Sequence, residues 1–521
     1  MINKINIYIY KKFVKFIIYF TKNSKMEFDP KDLNFGLIDF DDQIKIKSVY
    51  ISVGEIKPEI TNYKNLLFHS FSWLSYSKIL GGASNIKKAN KIITEWINKY
   101  KSLNSSVWSI SLVASRFINL VYALEFVSIL FDNKLKKNIY KFLYLHFLLL
   151  RYQIKKNKNS ISITDFKAFL LGSCVYKKPS NYALKLLDEL LADQVDSLGF
   201  HKSYNSLEQA KFINNLHEIK AICLFFKIPE NKKLIFQINN MTAVMQNLFH
   251  QDNSLILFNG SKNNNLNEVK KVLGLANDII PKNITSNEEG LVFYKDKNKS
   301  IFMDIVRPVN KTINNSLHAS TLAFELSCDG EKIITNCGSL NKEILNEDDY
   351  LKYSAAHTTI VLNNTNISEL SKKNSYRRVP DKITFNKEND KENVIWTASH
   401  NGYINNFKKI ITRKIKIMKN NNEIIGEDSI ISTKINTKKI VYHIRFHLLP
   451  NCNAILTNNK KTVILQIKDQ SWLFKTNYED SIEDSIYINH ENKIQQTKQI
   501  VLSGYVSDKK KTENWVIIKH D

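Results

Sequence analysis

His318, Asn336 and His357 fall within one stretch, HASTLAFELSCDGEKIITNCG followed closely by AAHTTIVLNN. Short runs rich in Ile, Val, Thr and aromatics place them on successive β-strands, so groups far apart in sequence can converge on one point. A second constellation is LGFHKSYNS, where His201 and Tyr204 lie three residues apart beside Lys202, with Asn205 following. A His, a Tyr and a Lys so placed suit proton transfer and electrostatic stabilisation. The same turn serves equally to cap a helix starting near Leu207 through Asn205 or Ser206. His400 and Tyr403 flank a turn at Gly402 in SHNGY, and loops carry sites more often than strand centres do. Arg307 in IVRP is a further candidate for binding. Arg445 and His447 lie in IRFHLLP, and His447, on an alternating strand, reads as packed core.

Two kinds of element must position these residues. From about Asn65 to Lys271 apolar residues recur at three and four positions, as in KKANKIITEWINKYKSL and VWSISLVASRFINLVYALEFVSILF, so this part is helical. Gly81-Gly82 and the polar run KKNKNSIS break one helix from the next. Helices of this length joined by short turns imply an α/α array. After Leu255 the period changes to short, often alternating runs such as NVIWTASH, KIVYHIRFHLL and QTKQIVLSGYV, separated by Asn, Asp, Gly or Lys clusters. The expected architecture is an extension over 1–60, an α/α array over 61–275 and a large antiparallel β-sandwich over 280–521.

The chain has 521 residues, enough for two or more cores, and a formal charge of +25 from 75 Lys+Arg against 50 Asp+Glu. Such a surface attracts polyanions, whether nucleic acid, anionic lipid or acidic glycan. A composition rich in Lys, Asn and Ile and poor in Gly and Pro, as an AT-rich coding sequence gives, accounts for the charge equally well. Neither helix-turn-helix, RNP, KH nor zinc-finger patterns accompany the charge, so specific nucleic-acid binding is not expected. The five cysteines are scattered and form no CxxC, which argues against a disulfide framework or zinc ribbon. The N-terminal INIYIYKKFVKFIIYF is interrupted by Lys11, Lys12 and Lys15. It reads as a frayed leader or a basic amphipathic helix touching a membrane surface, not as a classical export signal. No apolar run of bilayer-spanning length is visible.

The order of motifs resembles the heparinase II/III-like polysaccharide lyases, which implies that the helical array over 61–275 is an incomplete α/α toroid. FHSFSWLSYSKI, ITEWI and VWSISLVASRFINLVY look like that family's toroid helices, and LGFHKSYNSLEQ sits where members carry a DGGHxSRNP-like turn. HASTLAFEL, NCG, AAHTTIVL, SHNGY, GEDSI, IRFHLLP, SWLF and QIVLSG follow in family order across the β half. The resemblance implies β-elimination on uronic-acid glycosides, in which a cation or hydrogen-bond donors stabilise the enolate and a Tyr or His removes the proton. It implies a metal site of His318, Asn336 and His357, holding Zn or Ca, with Asn336 standing where the family has Asp. Ser316 stands where the catalytic imidazole is expected. A neutral amide weakens such a site, and the alternative is a hydrogen-bonded pair of His318 and His357 with no ion. Glu325, on the same strand, either restores a charge or is tied to an Arg or Lys. The toroid helix expected to bear a carboxylate-neutralising Asn or His reads SISITDFKAFLLGS and offers Thr164, Asp165 and Lys167 instead.

The expected function is therefore that of a lyase-like protein cleaving or binding an anionic, uronate-containing polysaccharide in a cleft between the two domains. The catalytic candidates are His201, Tyr204, His400 and Tyr403, and the substrate-binding candidates are Lys202, Asn205 and Arg307. The alternative is a catalytically degenerate protein that binds glycan or serves envelope-polysaccharide assembly, which Ser316 and Asn336 favour. The resemblance implies the cell envelope or periplasm, while the absence of a clear export signal leaves the cytoplasm open. Oligomeric state is not legible.

Overall fold

The computed structural model describes residues 63–103, 105–157, 161–177, 181–263, 265–275, 290–308, 317–340, 350–370, 376–434, 439–507 and 509–520. The extension expected over 1–60, and Ser316, lie outside the described residues. The described chain opens with helices α1 (Tyr63–Ser70), α2 (Trp73–Leu80), α3 (Gly82–Lys99), α4 (Ile110–Val127) and α5 (Asn133–Lys156). It continues with α6 (Ile163–Val175), α7 (Asn181–Gln194), α8 (Ser206–Phe225), α9 (Lys232–Asn247) and α10 (Leu266–Gly274). Some of these helices begin where the sequence supplies caps. Asp132 accepts the Leu135 N–H at 2.6 Å, and Ser162 and Asp165 form a reciprocal capping box at 3.1 and 3.2 Å.

The chain divides into two compact units. The helical unit runs to Gln194 and takes in Lys211–Ile238; the second joins Val195–Ala210 to Asn239–Asp521. Within the helical unit α4 is buried on nearly every face, as a core helix is. Its Arg116 donates to His146 Nε2 (2.8 Å) and to the carbonyls of His69 (2.6 Å) and Val107 (3.1 Å), with its guanidinium 4.3 Å from the Trp96 ring. Carbonyls and aromatic faces thus satisfy an enclosed cation. Among the described helices, only Ile110–Leu130 is long and apolar enough to cross a bilayer, and most of it is buried inside this unit.

In the second unit the strands are β1 (Leu291–Lys295), β2 (Lys299–Asp304), β3 (Phe324–Cys328), β4 (Glu331–Ile334), β5 (Ile360–Leu362), β6 (Glu369–Leu370), β7 (Tyr376–Arg378), β8 (Ile383–Asn389) and β9 (Asn393–His400). After a short helix α11 (Ile404–Phe407) come β10 (Lys409–Met418), β11 (Glu423–Ser432), β12 (Ile440–His447), β13 (Cys452–Leu456), β14 (Thr462–Ile467), β15 (Gln470–Thr476), β16 (Asp480–Ile488), β17 (Ile494–Val506) and β18 (Lys510–His520). They pair antiparallel in four sheets, ordered β1-β2-β3-β4, β13-β14-β15-β18-β11-β10-β9-β8, β16-β17-β12-β5 and β6-β7. Alternation is clean where one face meets the core, as in β9 and β10. Strands β2 and β3 are buried along their whole length, so their inward polar groups must find partners inside.

His318, Asn336 and His357 lie beyond strand ends and not on strands, which corrects the expectation for this stretch. His318 precedes β3, Asn336 follows β4, and His357 follows a single 3₁₀ turn before β5. Leu322, at φ 64°, turns the chain out of extended conformation just before β3. The backbone around it bonds elsewhere: Ala319 N–H to the Lys352 carbonyl (2.9 Å) and Leu322 N–H to the Asp304 carbonyl (2.7 Å).

Candidate functional site

The turn between α7 and α8 is built by one carboxylate and one glycine. Asp196 Oδ1 accepts the N–H groups of Leu198, Gly199 and Phe200, each at 2.9 Å. Gly199 has φ 99°, and a Cβ there would meet the Asn240 backbone at 2.8 Å, so only glycine fits. Gln209 ties the turn down, accepting His201 N–H (2.6 Å) and donating to the carbonyls of Gly199 and Met241. The turn presents His201, Lys202 and Tyr204, all half-buried. Tyr204, at φ 47°, lays its ring over Gly290 and against Val306 and Leu317, the residues that precede Arg307 and His318 in the chain. Arg307 is exposed. The structure therefore places His201, Lys202 and Tyr204 on one turn, with Tyr204 packed on Val306 and Leu317.

Asn205, expected to bind substrate, is instead spent on structure. Its Oδ1 caps α8 through Leu207 and Glu208 N–H (2.9 and 3.1 Å), and its Nδ2 donates to the Asn259 carbonyl (3.0 Å). Asn259 Oδ1 in turn accepts the His318 N–H (3.2 Å), and His318 Nδ1 meets His357 Nε2 at 3.2 Å. A continuous polar chain thus runs from the turn to the histidine pair. Burial and then His357, Lys352 and Lys262 push His318 well below the usual histidine range. His357 is pushed down to about 4 by burial, against the pull of Glu325. Both rings are neutral near pH 7.

The expected metal trio does not offer a set of free donors. His318 and His357 point ring nitrogens at each other, and Asn336 Oδ1 accepts Thr358 N–H (3.0 Å) while its Nδ2 donates to Glu325 Oε1 (3.0 Å). Among the described residues no group of three or more His, Cys, Asp or Glu side chains is arranged to hold a metal. Glu325 is itself fully engaged: its Oε2 lies 2.9 Å from His250 Nε2 and 3.5 Å from Lys332 Nζ and accepts Leu257 N–H at 3.2 Å. Burial alone would raise this carboxyl, but Lys332 and His250 hold it at about 2. Burial and Lys332 push His250 down to about 4. Glu325 and Lys332 are thus opposite charges enclosed side by side. Sequence reasoning tied Glu325 to a Lys or Arg, and Lys332 is that partner. His250 was missed, because nothing near Phe249-His250 marks a ring that bonds to a strand 75 residues away.

Other candidates resolve as structure. His400 and Tyr403, expected to line a groove, are fully enclosed. Tyr403 Oη donates to the carbonyls of Ile360 (3.1 Å) and Thr365 (2.9 Å), and His400 Nδ1 accepts Gly402 N–H (3.1 Å). They brace the turn, and an enclosed phenol with two carbonyl acceptors has no face for a ligand. His447 is packed core, its Nε2 donating to the Ala355 carbonyl (3.1 Å) and its Nδ1 meeting Ser485 Oγ (2.8 Å). In the helical unit Lys167 is held by Glu218 at 2.6 Å, with Asn214 and Tyr122 on the same carboxylate, and Asp165 is used in the capping box.

Residues 287–516 match the family model described as Heparinase II/III-like, C-terminal. A search of curated protein sequences gives no match. The fold is that of solved polysaccharide lyases. Heparinase III superposes with a TM-score of 0.76 at 12% identity, over 97% of this chain and 88% of that one. Heparan sulfate lyase HepC from Pedobacter heparinus gives 0.62 at 13% identity, over 99% and 88%. A Paenibacillus xanthan lyase gives 0.54 at 10% identity, over all of this chain and 58% of its own. These likenesses establish a helical region followed by antiparallel sheets and leave the chemistry to the residues.

Proposed function

Residues 287–516 form a heparinase II/III-like C-terminal domain, and on that premise we propose that this chain binds an anionic, uronate-containing polysaccharide and has little or no β-elimination activity. Heparan sulfate and xanthan, named for the structural relatives, both carry uronate carboxylates. The observation that carries the reading is the character of the turn: His201 and Tyr204 are tied to Ser203 and Asp196 within it, next to the cation Lys202.

His201 shows this most clearly. Its Nδ1 lies 2.7 Å from Ser203 Oγ and 3.3 Å from Ser203 N, so this nitrogen is engaged within the turn. Burial pushes its pKa down to about 4, against Glu208 and with Lys202 adding to the push, so the ring is neutral. Tyr204 Oη donates to Asp196 Oδ2 at 3.3 Å, so its proton is already committed toward a carboxylate. Lys202 and Arg307 supply positive charge. This set suits recognition of carboxylate and sulfate groups. Proton abstraction beside a carboxylate needs a base within reach, and Ser316 stands where the resemblance puts one.

The test pairs calorimetric binding with ultraviolet detection of the unsaturated product over a panel of uronate polysaccharides. Lys202→Ala and Arg307→Ala each weaken binding about tenfold at low salt, less at high salt, with no product formed. Growth of absorbance that His201→Ala abolishes overturns the proposal in favour of a lyase.

A further inference from the structure

We infer that the helical unit carries a docking surface for an anionic lipid bilayer at the turns that follow α2 and α4. Two consecutive aliphatic pairs project there: Ile79 and Leu80 are 72% and 47% exposed, and Ile129 and Leu130 are 64% and 39% exposed. Two contacts bring these turns to the same end of the unit. Lys78 Nζ lies 3.6 Å from Glu125 Oε2, one residue before the first pair and one helical turn before the second. Asn90 Nδ2 donates to the Val127 carbonyl at 3.0 Å, joining α3 to the end of α4. Large aliphatic side chains held clear of a protein surface in a group mark an interaction site, whereas scattered single ones need no explanation.

Charge chooses the occupant. Lys87 on α3 and Lys134, Lys136 and Lys137 on α5 are exposed beside the aliphatic pairs. The α5 lysines stand at the start of a 24-residue helix whose first turn holds no acidic residue. Cations at that end oppose the helix dipole, so their placement costs stability and calls for another use. Nearby acidic groups are already occupied, Glu125 with Lys78 and Asp132 as the α5 cap. Aliphatic tips ringed by lysine fit the boundary between acyl chains and negative headgroups: the tips enter the apolar edge while ammonium groups meet phosphates. A protein partner with an apolar face would gain nothing from the lysine ring. The net charge of +25 acts in the same direction over a longer range.

The experiment is flotation of the full chain with vesicles of phosphatidylcholine alone or mixed with phosphatidylglycerol. The wild type floats with the mixed vesicles and stays with the soluble fraction beside the neutral ones. Changing Ile79, Leu80, Ile129 and Leu130 together to Ser, or Lys134, Lys136 and Lys137 together to Gln, lowers the bound fraction about tenfold without lowering the melting temperature. The lysine variant keeps the test decisive if the serine variant folds poorly. Flotation that ignores lipid charge, or that persists in both variants, overturns the inference. So does a wild-type dimer by light scattering that the serine variant converts to monomer, because the patch then belongs to a second copy.

Discussion

Lys332→Met probes the enclosed charge balance directly. Lys332 and Glu325 are both fully buried, with Nζ 3.5 Å from Oε2. Methionine keeps most of the side-chain volume and removes the cation, leaving a buried carboxylate whose one remaining ionisable partner is His250 at 2.9 Å. Breaking a buried pair in this way costs about 3–5 kcal/mol. The deficit also acquires a pH dependence of known sign. Lys332 now helps hold His250 at about 4, and without it Glu325 pulls the imidazole pKa up. Where the folded pKa of His250 exceeds its unfolded value near 6.5, its contribution is fully present below 6.5 and lost as pH rises through the folded value. Each pH unit over which the folded ring alone holds the proton is worth about 1.4 kcal/mol. Urea denaturation of wild type and variant at pH 5 and 8.5 should give a larger deficit at the higher pH. Adding Glu325→Gln removes the stranded charge and recovers most of the loss. A deficit below about 1 kcal/mol at pH 8.5, or one equal at both pH values, would refute the assignment of Lys332 as the counter-charge.

Gly199→Ala should destabilise by about 1–3 kcal/mol and weaken glycan binding with it, since its Cβ meets the Asn240 backbone at 2.8 Å at φ 99°; unchanged melting and affinity would count against the turn as the site's scaffold. Asn336→Asp replaces a donor 3.0 Å from Glu325 with a second carboxylate, so the melting temperature should fall at neutral pH and recover on adding Zn or Ca, whereas the wild type should respond to neither; a wild type stabilised by metal contradicts the charge balance. Acidification should unfold the second unit early, because His250, His357, His400 and His447 are held at about 3 to 4 in the folded chain. Below pH 6.5 the unfolded chain gains their protons first, at about 1.4 kcal/mol per pH unit for each ring, while Asp304 and Asp480, each raised to about 6 chiefly by burial, oppose the trend as two groups against four. Tryptophan fluorescence that stays constant from pH 6.5 to 4 would argue against buried neutral histidines.

Local pattern carried much of this protein. The change from a helical to an alternating period separates helices from sheets, because each element must turn one apolar face inward and the spacing of apolar residues records which kind of element it is. The Asn205 cap was legible for the same reason, since its partners at Leu207 and Glu208 are close in the chain. His447 is core as well, although the alternation of β12 sets it on the side of the half-buried Val441, His443 and Arg445. What lay beyond the sequence is which polar groups meet. SHNGY has the composition of an exposed turn, yet Tyr403 is enclosed because the carbonyls of Ile360 and Thr365 come from another part of the chain to receive it. His318 and His357 look like strand residues and metal donors, but Leu322 turns the chain and the two rings bond each other. His250, Glu325 and Lys332 form one charge-balanced group only once α9, β3 and β4 have packed. Apolar burial is encoded position by position along the chain; the pairing of buried charge is a property of neighbours in space, and only the tertiary structure assigns them.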